Sequence, residues 1–128
     1  MTELRLIAIV DDDDAVRGAT ETLLRSLGYA TRAFESAESF LQSSLLSEDV
    51  CLILDVQMPN TSGIELQAKL SDRGLDIPII FITAYPNQAD EARALNAGAI
   101  GFLHKPVDEQ RLVECLYEAL NRRMGPAV

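Results

Sequence analysis

The chain has few of the features that export a protein, anchor it in a membrane or bind it to nucleic acid. Its 128 residues include only two cysteines, so we expect no disulfide framework and a reducing cytosol as its location. No apolar run approaches the roughly 18 residues that span a bilayer, and the start lacks a secretory signal pattern. With 11 basic and 20 acidic residues, the net charge of −9 lacks the positive footprint of direct nucleic-acid binding and suits cations or basic partner surfaces.

Five short apolar runs recur along the chain, with helical patterns between them. The runs cover residues 4–10, 29–34, 50–54, 77–83 and 99–103. The first, third and fourth are nearly all apolar, as in strands that are buried on both faces of a parallel sheet. Hydrophobic residues make up 48% of the chain, enough for one core. We therefore expect one domain over residues 1–124, followed by a tail or linker start at 125–128.

The helical segments have recognisable ends. Gly28 and Gly98 are expected to terminate the first and fourth helices, Ser36 and Asp108 to cap the second and fifth, and Ser62 with Glu65 to form a capping box. The apolar positions expected to face the core are Val16, Ala19, Leu23, Leu27, Ala37, Phe40, Leu41, Leu66, Leu70, Leu112, Leu116 and Leu120. Five strand–helix units predict an α/β protein, an open parallel sheet with helices on both faces.

Polar residues follow four of the predicted strands. Asp11 and Asp12 follow the first, Asp55 ends the third, Thr83 ends the fourth and Lys105 follows the fifth. The carboxyl ends of parallel strands meet at one edge of the sheet, where ligands of open α/β sheets bind. Each residue alone has an ordinary explanation: a solvated acidic run or helix cap, a strand threonine, a surface lysine before a turn.

The three acids together favour a metal site. Two unit charges 4 Å apart repel by roughly 4 kcal/mol at an effective dielectric constant near 20, and Mg²⁺, bound through oxygen ligands, would relieve this repulsion. Asp55 would then be a nucleophile that forms an aspartyl-phosphate. Mg²⁺ held by Asp11, Asp12 and Asp55 would neutralise incoming oxygens, and Lys105 and Thr83 would hold the others.

These motifs resemble the response-regulator receiver family over essentially the whole chain. The matching elements are Val10-Asp11-Asp12, Asp55-Val56-Gln57-Met58-Pro59 with Gly63, Thr83-Ala84 and Lys105-Pro106. The resemblance implies a flavodoxin-like (βα)5 fold with strand order 2-1-3-4-5. It also implies that a sensor histidine kinase or phosphotransfer protein phosphorylates Asp55.

The resemblance assigns further roles. Mg²⁺ would be bound by Asp11 or Asp12, by Asp55 and by the main-chain carbonyl of Gln57, and the Lys-Pro bond would be cis. Thr83 and Phe102 occupy the positions of the family's switch residues, although Phe102 is equally expected as a core aromatic of the fifth strand. Such a domain is a phospho-accepting regulator rather than an enzyme.

Residues 34–41 and 51–55 are similar to the FixJ-type subgroup, whose members commonly join the receiver to a DNA-binding domain. The resemblance therefore implies transcription regulation if an output domain exists in a longer chain. If activation runs through a homodimer, the surface formed by helix 4, strand 5 and helix 5 is expected to form it. No membrane partner and no direct nucleic-acid contact by this domain are expected.

Three features depart from the subgroup's pattern. Gln57 stands where arginine is frequent, Tyr85-Pro86-Asn87 replaces a Gly-Asp start of helix 4, and His104, expected to be packed or solvent-facing, precedes Lys105. A degenerate receiver that acts only as an interaction module is the main alternative. A Mg²⁺-dependent phosphatase with an aspartate nucleophile would require a second acid at position 57, where this chain has glutamine. A nucleotide-binding protein is disfavoured, because no glycine-rich loop follows the first strand.

Overall fold

Five parallel strands form one sheet in the order β2-β1-β3-β4-β5, the order that the resemblance implied. The computed structural model describes residues 6–47 and 49–124. The strands are β1 (Leu6–Val10), β2 (Ala30–Phe34), β3 (Val50–Asp55), β4 (Ile79–Thr83) and β5 (Gly101–His104). The helices are α1 (Asp14–Ser26), α2 (Ala37–Leu41), α3 (Gly63–Asp72), α4 (Gln88–Asn96) and α5 (Glu109–Met124), with a short 3₁₀ helix at Ser44–Ser47.

The sheet separates two hydrophobic cores, because successive side chains of a strand point to opposite faces. On one face, Val10 and Leu54 pack with residues of α2, α3 and α4. On the other, Ile9 and Ile53 pack with residues of α1 and α5. β3 and β4 are buried along their whole length, as their continuous apolar runs predicted. None of the helices in the described ranges is long and apolar enough to cross a membrane.

The predicted caps at Ser36, Ser62 and Asp108 are present, where Asp108 Oδ1 accepts from Gln110 N at 3.0 Å, and Asp13 caps α1 as well. Asp13 accepts a hydrogen bond from Val16 N at the start of α1, Ser36 from Ser39 N, and Ser62 and Glu65 form the reciprocal capping box. Gly28 and Gly98, with φ of 95° and 102°, follow the C-terminal ends of α1 and α4. These positive angles suit glycine, which has no Cβ to clash.

Two boundary predictions need correction. β4 begins at Ile79 rather than at residue 77, because Pro78 has no N–H for the ladder, although its carbonyl accepts from Leu52 N. β5 lies at Gly101–His104, shifted from the predicted 99–103. Residues 4, 5 and 125–128, part of the predicted first strand and tail, lie outside the described residues.

The predicted inward faces of α1 and α5 are partly wrong. Ala19 and Leu27 are exposed, whereas Thr20 and Leu24 are buried. Thr20 is tolerated inside because its hydroxyl donates to the Val16 carbonyl at 2.8 Å, which satisfies the buried polar group. In α5, Leu112 and Leu116 are buried as predicted. The third fully buried position there is Ala119 rather than Leu120, which is half-buried.

Candidate functional site

Asp11 and Asp55 lie side by side at the carboxyl ends of the two central strands. β1 and β3 are hydrogen-bonded neighbours with Val10 opposite Leu54. Asp11 and Asp55 follow these two residues and therefore reach the same edge of the sheet. Asp11 is fully buried and Asp55 is 4% exposed, whereas Asp12 is exposed. Carboxylate oxygens of Asp11, Asp12 and Asp55 all lie within 4.8 Å of one another. The structure therefore brings together the three acids that were expected to meet.

Lys105 provides the positive charge within this acidic cluster. Its main-chain N–H donates to the Thr83 carbonyl at 2.8 Å, which fixes the start of the loop after β5, and its peptide bond to Pro106 is cis. The Lys105 ammonium Nζ lies 3.0 Å from Asp11 Oδ2 and 3.6 Å from Asp55 Oδ1. One ammonium thus pairs with two buried carboxylates.

The electrostatics of the cluster change the protonation of Asp55. Burial raises the pKa of the Asp55 carboxyl to about 7, and the negative charge of Asp11 adds to this increase while Lys105 opposes it. Burial alone would lower the pKa of Lys105, but its close contact with the Asp11 carboxylate and the charges of Asp55 and Asp11 raise it overall. The lysine therefore stays charged, and without further positive charge Asp55 is only partly ionised at neutral pH.

The residues present fit a hard divalent cation. Asp11 Oδ2 is buried and close to Lys105 Nζ, but it accepts no geometrically satisfactory hydrogen bond from any residue in the described part of the chain. A buried carboxylate oxygen without such a bond is costly. The donor set consists of three carboxylates, which are oxygen ligands of the kind that Mg²⁺ prefers. Gln57 lies at the same edge, two residues beyond Asp55.

Thr83 is fully buried at the end of β4, but its hydroxyl makes a bond that sequence reasoning missed. The hydroxyl donates to the side-chain Oε1 of Gln57 at 2.7 Å and accepts from Tyr85 N at 3.1 Å. Among the residues that the structure describes, it forms no hydrogen bond with any of the three acids. Thr83 and Gln57 were both expected at this edge, so the sequence predicted that they lie close together. It did not predict the direction of their side chains.

The aromatic and the histidine of β5 differ in their exposure. Phe102 is buried, and its ring centroid lies 6.0 Å from that of Phe81. This packing confirms its expected place in the core. His104 is exposed, which is one of the two environments, packed or solvent-facing, that were expected for it.

Arg17 is a second contact that sequence reasoning missed. Its guanidinium donates to the main-chain carbonyl of Asp11 at 2.8 Å and pairs with the Asp14 carboxylate. The i,i+3 spacing of Asp14 and Arg17 on one helix face could have indicated the ion pair. The contact with the Asp11 carbonyl ties α1 to the end of β1.

Comparisons with known proteins agree with this geometry. A family model described as the response regulator receiver domain matches residues 7–117. The chain is 42% identical over 121 residues to the transcriptional regulatory protein TdiR of Thauera aromatica, covering 93% of this chain and 53% of that protein. It is 44% identical over 115 residues to the response regulator protein TmoT of Ectopseudomonas mendocina, covering 90% and 52%.

The predicted similarity to FixJ is also found. The crystal structure of FixJ-N superposes with a TM-score of 0.86 at 30% identity and covers 99% of both chains. The chain spans about half the length of TdiR and TmoT. The chain belongs to the response regulator receiver domain family of two-component systems.

Proposed function

We propose that this chain is a phospho-accepting receiver in which Asp55 takes a phosphoryl group from a phosphohistidine of a sensor histidine kinase or phosphotransfer protein. The observation that carries the proposal is the meeting of Asp11, Asp12 and Asp55 within 4.8 Å, with Lys105 Nζ 3.6 Å from Asp55. A nucleophilic carboxylate, acidic neighbours for a cation and a charged lysine are the parts that phosphoryl transfer requires.

In the proposed step, one carboxylate oxygen of Asp55 attacks the phosphorus atom. The O–P bond forms as the P–N bond to the donor imidazole breaks, and the imidazole leaves with the bonding electron pair. The ionised form of Asp55 is the nucleophile. Because the pKa of this carboxyl is raised to about 7, the site needs added positive charge to keep it ionised. Lys105 would pair with a phosphoryl oxygen, and the Thr83 hydroxyl would donate to another.

Asp11, Asp12, Asp55 and the main-chain carbonyl of Gln57 would hold Mg²⁺. When bound, the ion would supply positive charge that favours ionised Asp55 and neutralises phosphoryl oxygens. The clustering of the three carboxylates supports this assignment, as does the buried Asp11 Oδ2, which accepts no hydrogen bond from the described residues.

Phosphorylation would change the surface formed by α4, β5 and α5, through Thr83 and the buried Phe102. This surface exposes large apolar side chains, Leu95 on α4 and Val113 and Tyr117 on α5, of which Tyr117 is 70% exposed. Exposed apolar groups of this kind support contact with a second copy or an output domain. We propose residues 1–124 as the receiver of a cytoplasmic regulator that acts on transcription through a longer chain rather than as an enzyme.

Intact mass spectrometry after incubation with Mg²⁺ and acetyl phosphate tests the proposal. We expect the addition of one phosphoryl group, its loss in Asp55→Asn, and its retention in Asp72→Asn, which changes an exposed acid at the end of α3. EDTA should prevent labelling of the wild-type chain.

Two outcomes would favour the alternatives. An unmodified mass, where a known receiver is labelled in parallel, would indicate an interaction module that does not accept phosphoryl groups. Rapid hydrolysis of many phosphate esters would indicate a phosphatase. The phosphatase would require an acid at position 57. Gln57 is instead an amide, and its oxygen accepts a hydrogen bond from the Thr83 hydroxyl.

A further inference from the structure

The hydroxyl proton of Thr83 is already committed in this structure. A threonine hydroxyl has one proton to donate, and that proton lies in the 2.7 Å bond to Gln57 Oε1. The oxygen's acceptor capacity is partly used by Tyr85 N at 3.1 Å. Residues on the loops after β3 and β4 therefore hold this hydroxyl from two sides, while the side chain is fully buried.

A phosphoryl oxygen on Asp55 would need the same proton. Because the hydroxyl cannot donate to two acceptors fully at once, it must leave Gln57 before it can engage the phosphoryl group. Gln57 is exposed, so water would solvate its amide oxygen once the hydroxyl has left it. The Thr83 hydroxyl is buried, so it must donate either to Gln57 or to the phosphoryl oxygen.

We infer that Gln57 is a positioning residue whose side-chain oxygen competes with the phosphoryl group for the Thr83 hydroxyl. The inference rests on the proposed function, and it gives the unusual glutamine a defined regulatory effect. Gln57 stabilises the unphosphorylated arrangement and thereby weakens the link between phosphorylation at Asp55 and the movement of Thr83.

The size of the effect follows from one neutral hydrogen bond. Such a bond contributes a net stabilisation that corresponds to a change of about two- to tenfold in an equilibrium constant. Gln57→Met removes the acceptor while it preserves an unbranched side chain of similar length. We therefore expect Gln57→Met to bind beryllofluoride, a phosphoryl stand-in, about two- to tenfold more tightly in the presence of Mg²⁺.

A double-mutant cycle with Thr83→Val separates competition for the hydroxyl from other effects of position 57. Valine keeps the shape of threonine but has no hydroxyl to release. We expect Gln57→Met to tighten beryllofluoride binding in the Thr83 background and to leave it unchanged in the Thr83→Val background. Gln42→Met, at an exposed glutamine following α2, should change binding in neither background.

The outcomes distinguish the inference from the function on which it rests. Equal tightening in both Thr83 backgrounds would mean that Gln57 acts by blocking access to Asp55, and no tightening would mean that it does not compete at all. Either result overturns the inference alone. Failure of the wild-type chain to bind beryllofluoride or to accept a phosphoryl group would overturn the proposed function together with the inference.

Nuclear magnetic resonance of the unmodified chain gives a second readout that requires no phosphoryl group. In Gln57→Met we expect altered rotamer populations of Thr83, measured by three-bond couplings, and a shifted Tyr85 amide proton, because that amide donates to the Thr83 hydroxyl. Gln57→Glu, which keeps an acceptor at the same length, should restore the wild-type rotamer. Identical Thr83 couplings in wild-type and Gln57→Met chains would overturn the inference.

Discussion

Lys105 Nζ lies 3.0 Å from Asp11 Oδ2, although the strands that precede these residues are not neighbours. β5 is the edge strand, and β4 and β3 separate it from β1. The lysine therefore extends over the ends of both intervening strands and lies 3.6 Å from Asp55 Oδ1 on the way. This single ammonium neutralises part of a buried acidic cluster, so the stability of the chain should depend on it.

Replacement of Lys105 by methionine should destabilise the metal-free chain in a pH-dependent manner. The variant keeps the aliphatic stem but leaves Asp11 and Asp55 without their counter-charge. Loss of one partner of a buried pair costs about 3 kcal/mol or more, and we expect that loss at pH 8. At pH 5.5 Asp55 can be protonated, so the loss should be smaller.

Urea unfolding in EDTA measures this difference. Lys69→Met, an exposed lysine on α3, is the control and should change the free energy of unfolding by less than about 0.5 kcal/mol. An equal loss for Lys105→Met at both pH values would show that the lysine stabilises by packing rather than by charge.

Asp55→Asn should stabilise the metal-free chain at high pH. The pKa of Asp55 is raised from 3.8 to about 7 by burial and by Asp11, so the folded state binds more protons than the unfolded state between these values. Wild-type stability therefore falls as the pH rises from about 4 to about 7. Each pKa unit corresponds to about 1.4 kcal/mol, and we expect a gain of about 2–4 kcal/mol at pH 8 in the variant.

The measurement is denaturant unfolding of both chains from pH 4 to pH 8 in EDTA. The two curves should converge at pH 4, where Asp55 is protonated in the folded state and carries no charge to relieve. Asp72→Asn, at an exposed site, should run parallel to the wild-type curve. A constant offset between Asp55→Asn and wild type across this range would show that charge at position 55 is not the cause.

Mg²⁺ should stabilise the folded chain by binding to the acidic cluster. At a concentration 100 times its dissociation constant, a ligand specific for the folded state adds about 2.7 kcal/mol. We expect this gain at pH 8 and its loss in Asp11→Asn, whose buried oxygen is a proposed ligand. Asp14→Asn, an exposed acid of α1, should retain it.

Thermal unfolding with MgCl₂ and with NaCl of matched ionic strength gives the comparison. The gain should diminish below pH 6, because protonation of Asp55 competes with the ion. Equal stabilisation by the two salts would mean that the cluster only responds to screening.

The meeting of the acids was predictable, because it follows from strand order and register. Once β1 and β3 are neighbours, Asp11 and Asp55 must share an edge. The bond between Thr83 and Gln57 was not predictable, because several acceptors lie within reach of a hydroxyl at that edge. The side-chain rotamer of Thr83 determines which of them accepts the bond. The inward face of α1 was misassigned because apolar periodicity ignores Thr20, whose hydroxyl is satisfied within the helix.

Gly63→Ala should disturb the site through the backbone of Asp55. A Cβ at Gly63 would lie 2.3 Å from the Asp55 carbonyl oxygen, and the Gly63 N–H already donates to the Val56 carbonyl at 2.9 Å. The start of α3 must therefore move away from β3, with an expected cost of about 1–3 kcal/mol. Gly18→Ala is the matched control, because nothing lies within 4 Å of its Cβ position in α1.

Urea unfolding and labelling by acetyl phosphate should be measured on both glycine variants. Alanine is favoured over glycine within a helix by about 0.5–1 kcal/mol, so Gly18→Ala should be as stable as wild type or more stable. Gly63→Ala should lose stability and accept the phosphoryl group more slowly, because the carbonyl that the new methyl group would contact belongs to the acceptor residue. Unchanged labelling by a destabilised Gly63→Ala chain would show that the close approach supports the fold without positioning Asp55.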